Sequence, residues 1–117
     1  MTRALRVGIN CARLAHPAPL HRAAALGCAE YLDLPAPAAR CWAPVATFLD
    51  AAPRTRVVAK VGYCAVDGAP DAARDVGGGV AHALADAAWV AREAERCAEL
   101  LKRPADAILL HGPEEIA

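Results

Sequence analysis

Three ionisable residues interrupt apolar runs in this chain: Asp33 in "EYLDLP", Lys60 in "RVVAKVGY" and His111 in "AILLHGP". An ionisable group in such a setting is costly unless it is paired or used. An Asp, a Lys and a His together suit the reduction of a carbonyl. A Lys held by an Asp stays charged and eases proton release from a neighbouring acid, while a His hydrogen-bonds and polarises the carbonyl oxygen. The hydride has to come from a cofactor, because no side chain supplies one. Each residue alone also has a structural explanation. Asp33 can cap the turn before a Pro-rich segment, Lys60 can reach solvent from a strand end, and His111 can be a hydrogen-bonded structural histidine. Three of them on successive strand ends are harder to dismiss.

The elements that must position them follow from the apolar patterning. Four runs read as strands: "LRVGIN" from Leu5, "EYLDL" from Glu30, "RVVAKVGY" from Arg56 and "AILLH" from Ala107. Between the first two lies "PLHRAAALG", an Ala-rich helix closed by Gly27. Between the second and third lies "CWAPVATFLDAAP", where Pro44 suits a first helical turn and Pro53 ends the segment. The strongest helix is "LADAAWVAREAERCAELLKR", with Val90, Ala94, Cys97 and Leu101 on one face and Glu99 spaced to pair with Arg103. Before it, "CAVDGAPDAARDVGGGVAH" has no periodicity and is expected to be a long loop. Its triple glycine lacks the G-K-[ST] continuation of a phosphate loop and reads as flexibility.

Alternating strand and helix favour a parallel sheet with right-handed crossovers, hence an α/β fold. In that arrangement ligands meet the carboxyl ends of the strands, where Asp33, Lys60 and His111 fall. The 117 residues fit one domain, expected to span residues 1–117. Thirteen basic and thirteen acidic residues cancel, so no electrostatic footprint for nucleic acid is present. No apolar run approaches a membrane span, and the amino terminus lacks the apolar block of a secretory signal. Five widely spaced cysteines without a C-x-x-C pair read as reduced thiols in a cytoplasmic protein, with no metal site.

In order and spacing, "EYLDLPAPAA", "RVVAKVGY" and "AILLHGPEE" resemble the amino-terminal half of an aldo/keto reductase. "LRVGINCARLA" resembles that family's first strand and turn, so the likeness covers nearly the whole chain. The resemblance implies about half of a TIM-type (β/α)8 barrel of parallel strands. It also implies NADP as cofactor, a small carbonyl substrate or a sugar alcohol or aldose to oxidise, and Asp33, Lys60 and His111 as catalytic residues. The family's proton-donating Tyr corresponds here to Ala38, and neither Tyr31 nor Tyr63 stands at that place. Tyr31, two residues before Asp33, reads as a core aromatic on the same strand face. The family's phosphate pockets lie mainly in later strands than these four. The chain alone is therefore expected to turn over negligibly, with a missing carboxy-terminal half or a homo-oligomer completing the sheet. The alternative is a non-catalytic pseudo-enzyme that pairs through its open edge.

Overall fold

A computed structural model describes residues 7–37 and 40–116. The fold is α/β. Four strands, β1 (Gly8–Asn10), β2 (Tyr31–Leu34), β3 (Arg56–Val61) and β7 (Ala107–Leu110), form a parallel sheet in the order β1-β2-β3-β7. The connections carry helices α1 (Ala18–Ala25), α2 (Trp42–Ala51) and α3 (Ala87–Leu101). Neighbouring strands that pair parallel and follow one another in sheet order, joined by crossovers of one hand, place their helices on one face.

The period-2 alternation of a strand decides which residues meet those helices. Leu32 and Leu34 of β2 and Val57, Ala59 and Val61 of β3 are buried, while Tyr31, Asp33, Val58 and Lys60 face the other side and stay half-buried. The buried set forms one cluster with Leu20 of α1, with Trp42, Val45, Phe48 and Leu49 of α2, and with Trp89, Cys97 and Leu101 of α3. Phe48 is fully buried there, so truncation to Ala would cost about 3–5 kcal/mol.

Local chemistry sets the helix ends. Gly27 takes φ +73 just beyond α1, and the Gly27 and Cys28 amides donate to the Ala24 and Ala23 carbonyls, the paired closure that a left-handed residue permits. Asp86 caps α3 by accepting from the Trp89 amide at 2.9 Å. The expected apolar face of α3 holds for Cys97 and Leu101, with Val90 and Ala94 half-buried and Trp89 added. The expected Glu99–Arg103 pair does not form. Lys102 turns left-handed at φ 58 and ends the helix, which sends the Arg103 guanidinium to the Pro53 and Thr55 carbonyls instead. Tyr31 is also not a core aromatic. It opens β2 at the amino edge of the sheet, half-buried, with the Arg56 guanidinium 5.8 Å from its ring centre.

The expected long loop is a second sheet. Strands β4 (Tyr63–Ala65), β5 (Arg74–Gly77) and β6 (Val80–His82) pair antiparallel in the order β4-β6-β5, so the strands of the chain are not all parallel. Gly78 and Gly79, at φ +65 and +78, connect β5 to β6 as the two residues of a tight hairpin turn. The triple glycine thus serves a turn rather than a mobile loop.

Candidate functional site

Asp33, Lys60 and His111 lie at the carboxyl edge of the parallel sheet, at or just after the ends of β2, β3 and β7. Asp33 and Lys60 share a face because both are out of phase with the buried Leu34 and Val61. Neighbouring parallel strands bring them into contact: Lys60 Nζ is 3.0 Å from Asp33 Oδ2. The two side chains are 25% and 37% exposed, so the pair is largely but not fully desolvated. The second carboxylate oxygen, Oδ1, is buried without a hydrogen-bond partner among the described residues. Asn10 ends β1 on the same face, and its side-chain oxygen accepts from the Ala12 amide at 2.9 Å.

His111 follows β7 at the same height. Its amide donates to the Val61 carbonyl at 2.8 Å, which continues the β3–β7 ladder one step past the strand. Two glycines allow its neighbours to close in. A Cβ at Gly62 would collide with the His111 carbonyl oxygen, and a Cβ at Gly112 would collide with the Tyr63 hydroxyl. Tyr63 packs edge-on against the His111 ring, with centroids 4.9 Å apart and planes at 88°.

These groups surround a cavity of about 290 Å³ whose walls include Asn10, Pro35, Lys60, Gly62, Tyr63 and His111. The lining is largely apolar with a few convergent polar groups, the composition of a small-molecule site. A larger and more open hollow of about 420 Å³ lies at the amino edge, beside Glu30, Tyr31, Arg54 and Arg56. It is the less suited to chemistry, because it lies where the strands begin, away from the carboxyl edge at which ligands meet a parallel sheet.

Of the sequence-predicted residues, Asp33 and Lys60 are in contact, and His111 joins Lys60 on the wall of one cavity. Sequence reasoning missed His82. This residue is 3% exposed, and its Nε2 lies 3.0 Å from the His111 carbonyl oxygen. The "GGG" hairpin signal flanked by Val76 and Val80 is what could have led to it, since it marks β5 and β6. Ala38, the position matching the family's Tyr, lies outside the described residues.

The five cysteines are free thiols. Burial pushes the Cys11 thiol up to about 12, with the nearby Cys41 and Asp33 adding to the rise, and burial pushes Cys97 up to about 11. Among the described residues no group of three or more His, Cys, Asp or Glu could hold a metal ion, and no helix is long and apolar enough to cross a membrane. No protein-family model, no curated protein and no solved structure matches the chain.

Proposed function

We propose that the cavity beside Lys60 and His111 is the carbonyl-binding end of an aldo/keto reductase-like oxidoreductase. The observation that carries this reading is the Lys60–Asp33 ion pair, 3.0 Å long, on the carboxyl edge of a parallel sheet and next to a cavity that His111 also lines. In this reading Asp33 holds the Lys60 ammonium in place, and its positive end favours negative charge developing on a carbonyl oxygen. His111 donates a hydrogen bond to the same oxygen. With the family's Tyr position occupied by Ala38, the acids left beside the cavity are Tyr63, His111 and Lys60 itself. The sheet order β1-β2-β3-β7 with helices on one face suits half of a (β/α)8 barrel, whose strands also run in sequence order.

The hydride source in this family reading is NADP in its reduced form. Among the described residues the cavity does not suit its phosphates. Lys60 is already paired with Asp33, and the remaining walls named above carry no other Lys and no Arg. The dinucleotide is therefore assigned to residues other than these, and turnover by this chain alone is expected to be negligible.

The test is titration of isotopically labelled protein with a small ketone such as cyclohexanone, followed by NMR. Shifts confined to Lys60, Gly62, Tyr63 and His111, and abolished in Lys60→Met, support the reading. Shifts elsewhere, or none, refute it. NADPH consumption with a small carbonyl substrate, lost in Lys60→Met, would refute the expectation of negligible turnover.

A second reading is a non-catalytic module that pairs with a second copy of itself. It is favoured by β7, which among the described residues pairs only with β3 in its sheet and leaves Leu109 and Leu110 50% and 54% exposed. Sedimentation that shows a dimer, dissociated by Leu109→Lys, would support it. A monomer at high concentration would remove it.

A further inference from the structure

We propose that His82 is a positioning residue for His111, holding that histidine's backbone and, through Tyr63, its ring. The role rests on the reading of His111 as the group that contacts the carbonyl oxygen. Apart from the buried thiols, His82 is the buried residue with an ionisable side chain among the described residues, 3% exposed, so its imidazole needs a partner to offset lost hydration. The partner is the main chain of the site. Nε2 lies 3.0 Å from the His111 carbonyl oxygen, and because a carbonyl oxygen only accepts, Nε2 carries the hydrogen.

The same imidazole also braces Tyr63. The two residues are opposite each other in the β4–β6 register, and their rings meet edge-on with centroids 4.9 Å apart and planes at 67°. The Tyr63 ring meets His111 at the same separation on its other contact. Tyr63 thus lies between two histidines, one buried and one exposed at the cavity. Next to it, the Ala83 amide donates to the Gly62 carbonyl at 2.8 Å, which ties the end of β6 to the bend after β3.

The consequence is that the His111 main chain is held from both sides. Its amide is fixed by Val61 of the parallel sheet, and its carbonyl is fixed by His82 of the antiparallel sheet. The small sheet, which carries little of the core, is the support that presents this imidazole. A histidine side chain whose backbone and ring face are both fixed loses little further freedom when it meets a ligand, which is the benefit of preorganisation.

The experiment compares His82→Gln, which keeps an N–H donor at similar reach, with His82→Leu, which keeps bulk and loses the donor. The first readout is the set of His111 ring chemical shifts in ligand-free protein, which report its place against the Tyr63 ring. The expected result is a changed, motionally averaged His111 signal in His82→Leu and a signal close to wild type in His82→Gln, with the Leu32 and Val57 methyl signals unmoved in both. The second readout is cyclohexanone affinity, expected to weaken at least fivefold in His82→Leu and less than twofold in His82→Gln.

An unchanged His111 signal in His82→Leu, or a Gln variant that behaves like the Leu variant, overturns the proposal. So does a Leu variant whose core methyl signals move as much as His111, which would mark a purely structural role. Should His82→Leu not fold, His82→Gln and Tyr63→Leu decide. A His111 signal that is wild type in the first and shifted in the second supports the proposal, and any other pattern overturns it. If wild-type protein binds no ketone while the ring shifts follow the expected pattern, the carbonyl reading fails and the positioning of His111 by His82 stands.

Discussion

Removing the Lys60 ammonium exposes the asymmetry of the ion pair. The Lys60–Asp33 pair is neither fully wet nor dry at 25% and 37% side-chain exposure, so its worth lies between that of a surface pair, about 0–1 kcal/mol, and the cost of breaking a buried one, about 3–5 kcal/mol. Asp33 has more to lose, because Oδ1 is already buried without a hydrogen-bond partner among the described residues and Oδ2 is the oxygen that meets the ammonium. Lys60→Met should therefore cost about 2 kcal/mol. Asp33→Asn should cost about 1 kcal/mol, since the flexible Lys stem can carry its charge to water. Replacing both, as Lys60→Met with Asp33→Leu, removes the stranded charge and should cost less than Lys60→Met and Asp33→Leu singly added together, with a coupling of about 1 kcal/mol.

At about 2.1 cal/mol/K per residue, the 117 residues carry an unfolding entropy of about 250 cal/mol/K, so 2 kcal/mol corresponds to a Tm fall of about 8 °C. Calorimetry and urea unfolding at neutral pH give both numbers. A Tm unchanged in Lys60→Met, or strict additivity in the double variant, would refute the view that the pair is a partly desolvated unit.

Further outcomes follow from geometry and burial. Lys102 sits left-handed at φ 58 at the end of α3, so Lys102→Gly should stabilise the protein by about 0.5–1 kcal/mol in a urea titration. Gly62→Ala drives a Cβ into the His111 carbonyl oxygen and should destabilise by about 2 kcal/mol while moving the His111 and His82 signals in NMR more than those of the helices. For the thiols, Cys11 and Cys97 are raised from 9.0 to about 12 and about 11, so the folded state holds its protons longer than the unfolded chain. Stability is then full below about pH 9 and falls as pH rises toward 11 and 12, by about 1.4 kcal/mol per pH unit for each thiol inside its window. Cys97→Val should flatten that slope, and iodoacetamide at mildly alkaline pH should label the half-buried Cys28 before the buried Cys11, Cys41 or Cys97.

Strands β2 and β3 were legible because buried apolar residues stand at every second position, and the same alternation made Asp33 and Lys60 conspicuous as exceptions on the opposite face, whereas β1 and β7 were legible only as apolar runs. The Gly27 closure of α1 was legible for a local reason, the left-handed turn. The antiparallel sheet was not, because β4, β5 and β6 are three or four residues long, mostly exposed, and lack alternation. Their pairing is set by the hairpin glycines and by Tyr63 and His82 across the ladder, which are tertiary facts. His82 escaped notice for that reason. Asp33, Lys60 and His111 stand out in the sequence as ionisable residues that break apolar runs at strand ends and match the family's motifs, whereas the contact between the first two depends on parallel neighbours that only the sheet order supplies.

Carbonyl binding in the cavity beside Lys60 underlies the roles assigned above to Lys60 and His111. Titration of the labelled protein with cyclohexanone tests it most directly, with Lys60→Met as the paired control. Saturable shifts are expected at Lys60, Gly62, Tyr63 and His111, and they should vanish in the variant. Saturable shifts that survive Lys60→Met, or that cluster instead around Arg54 and Arg56 at the amino edge, would contradict it.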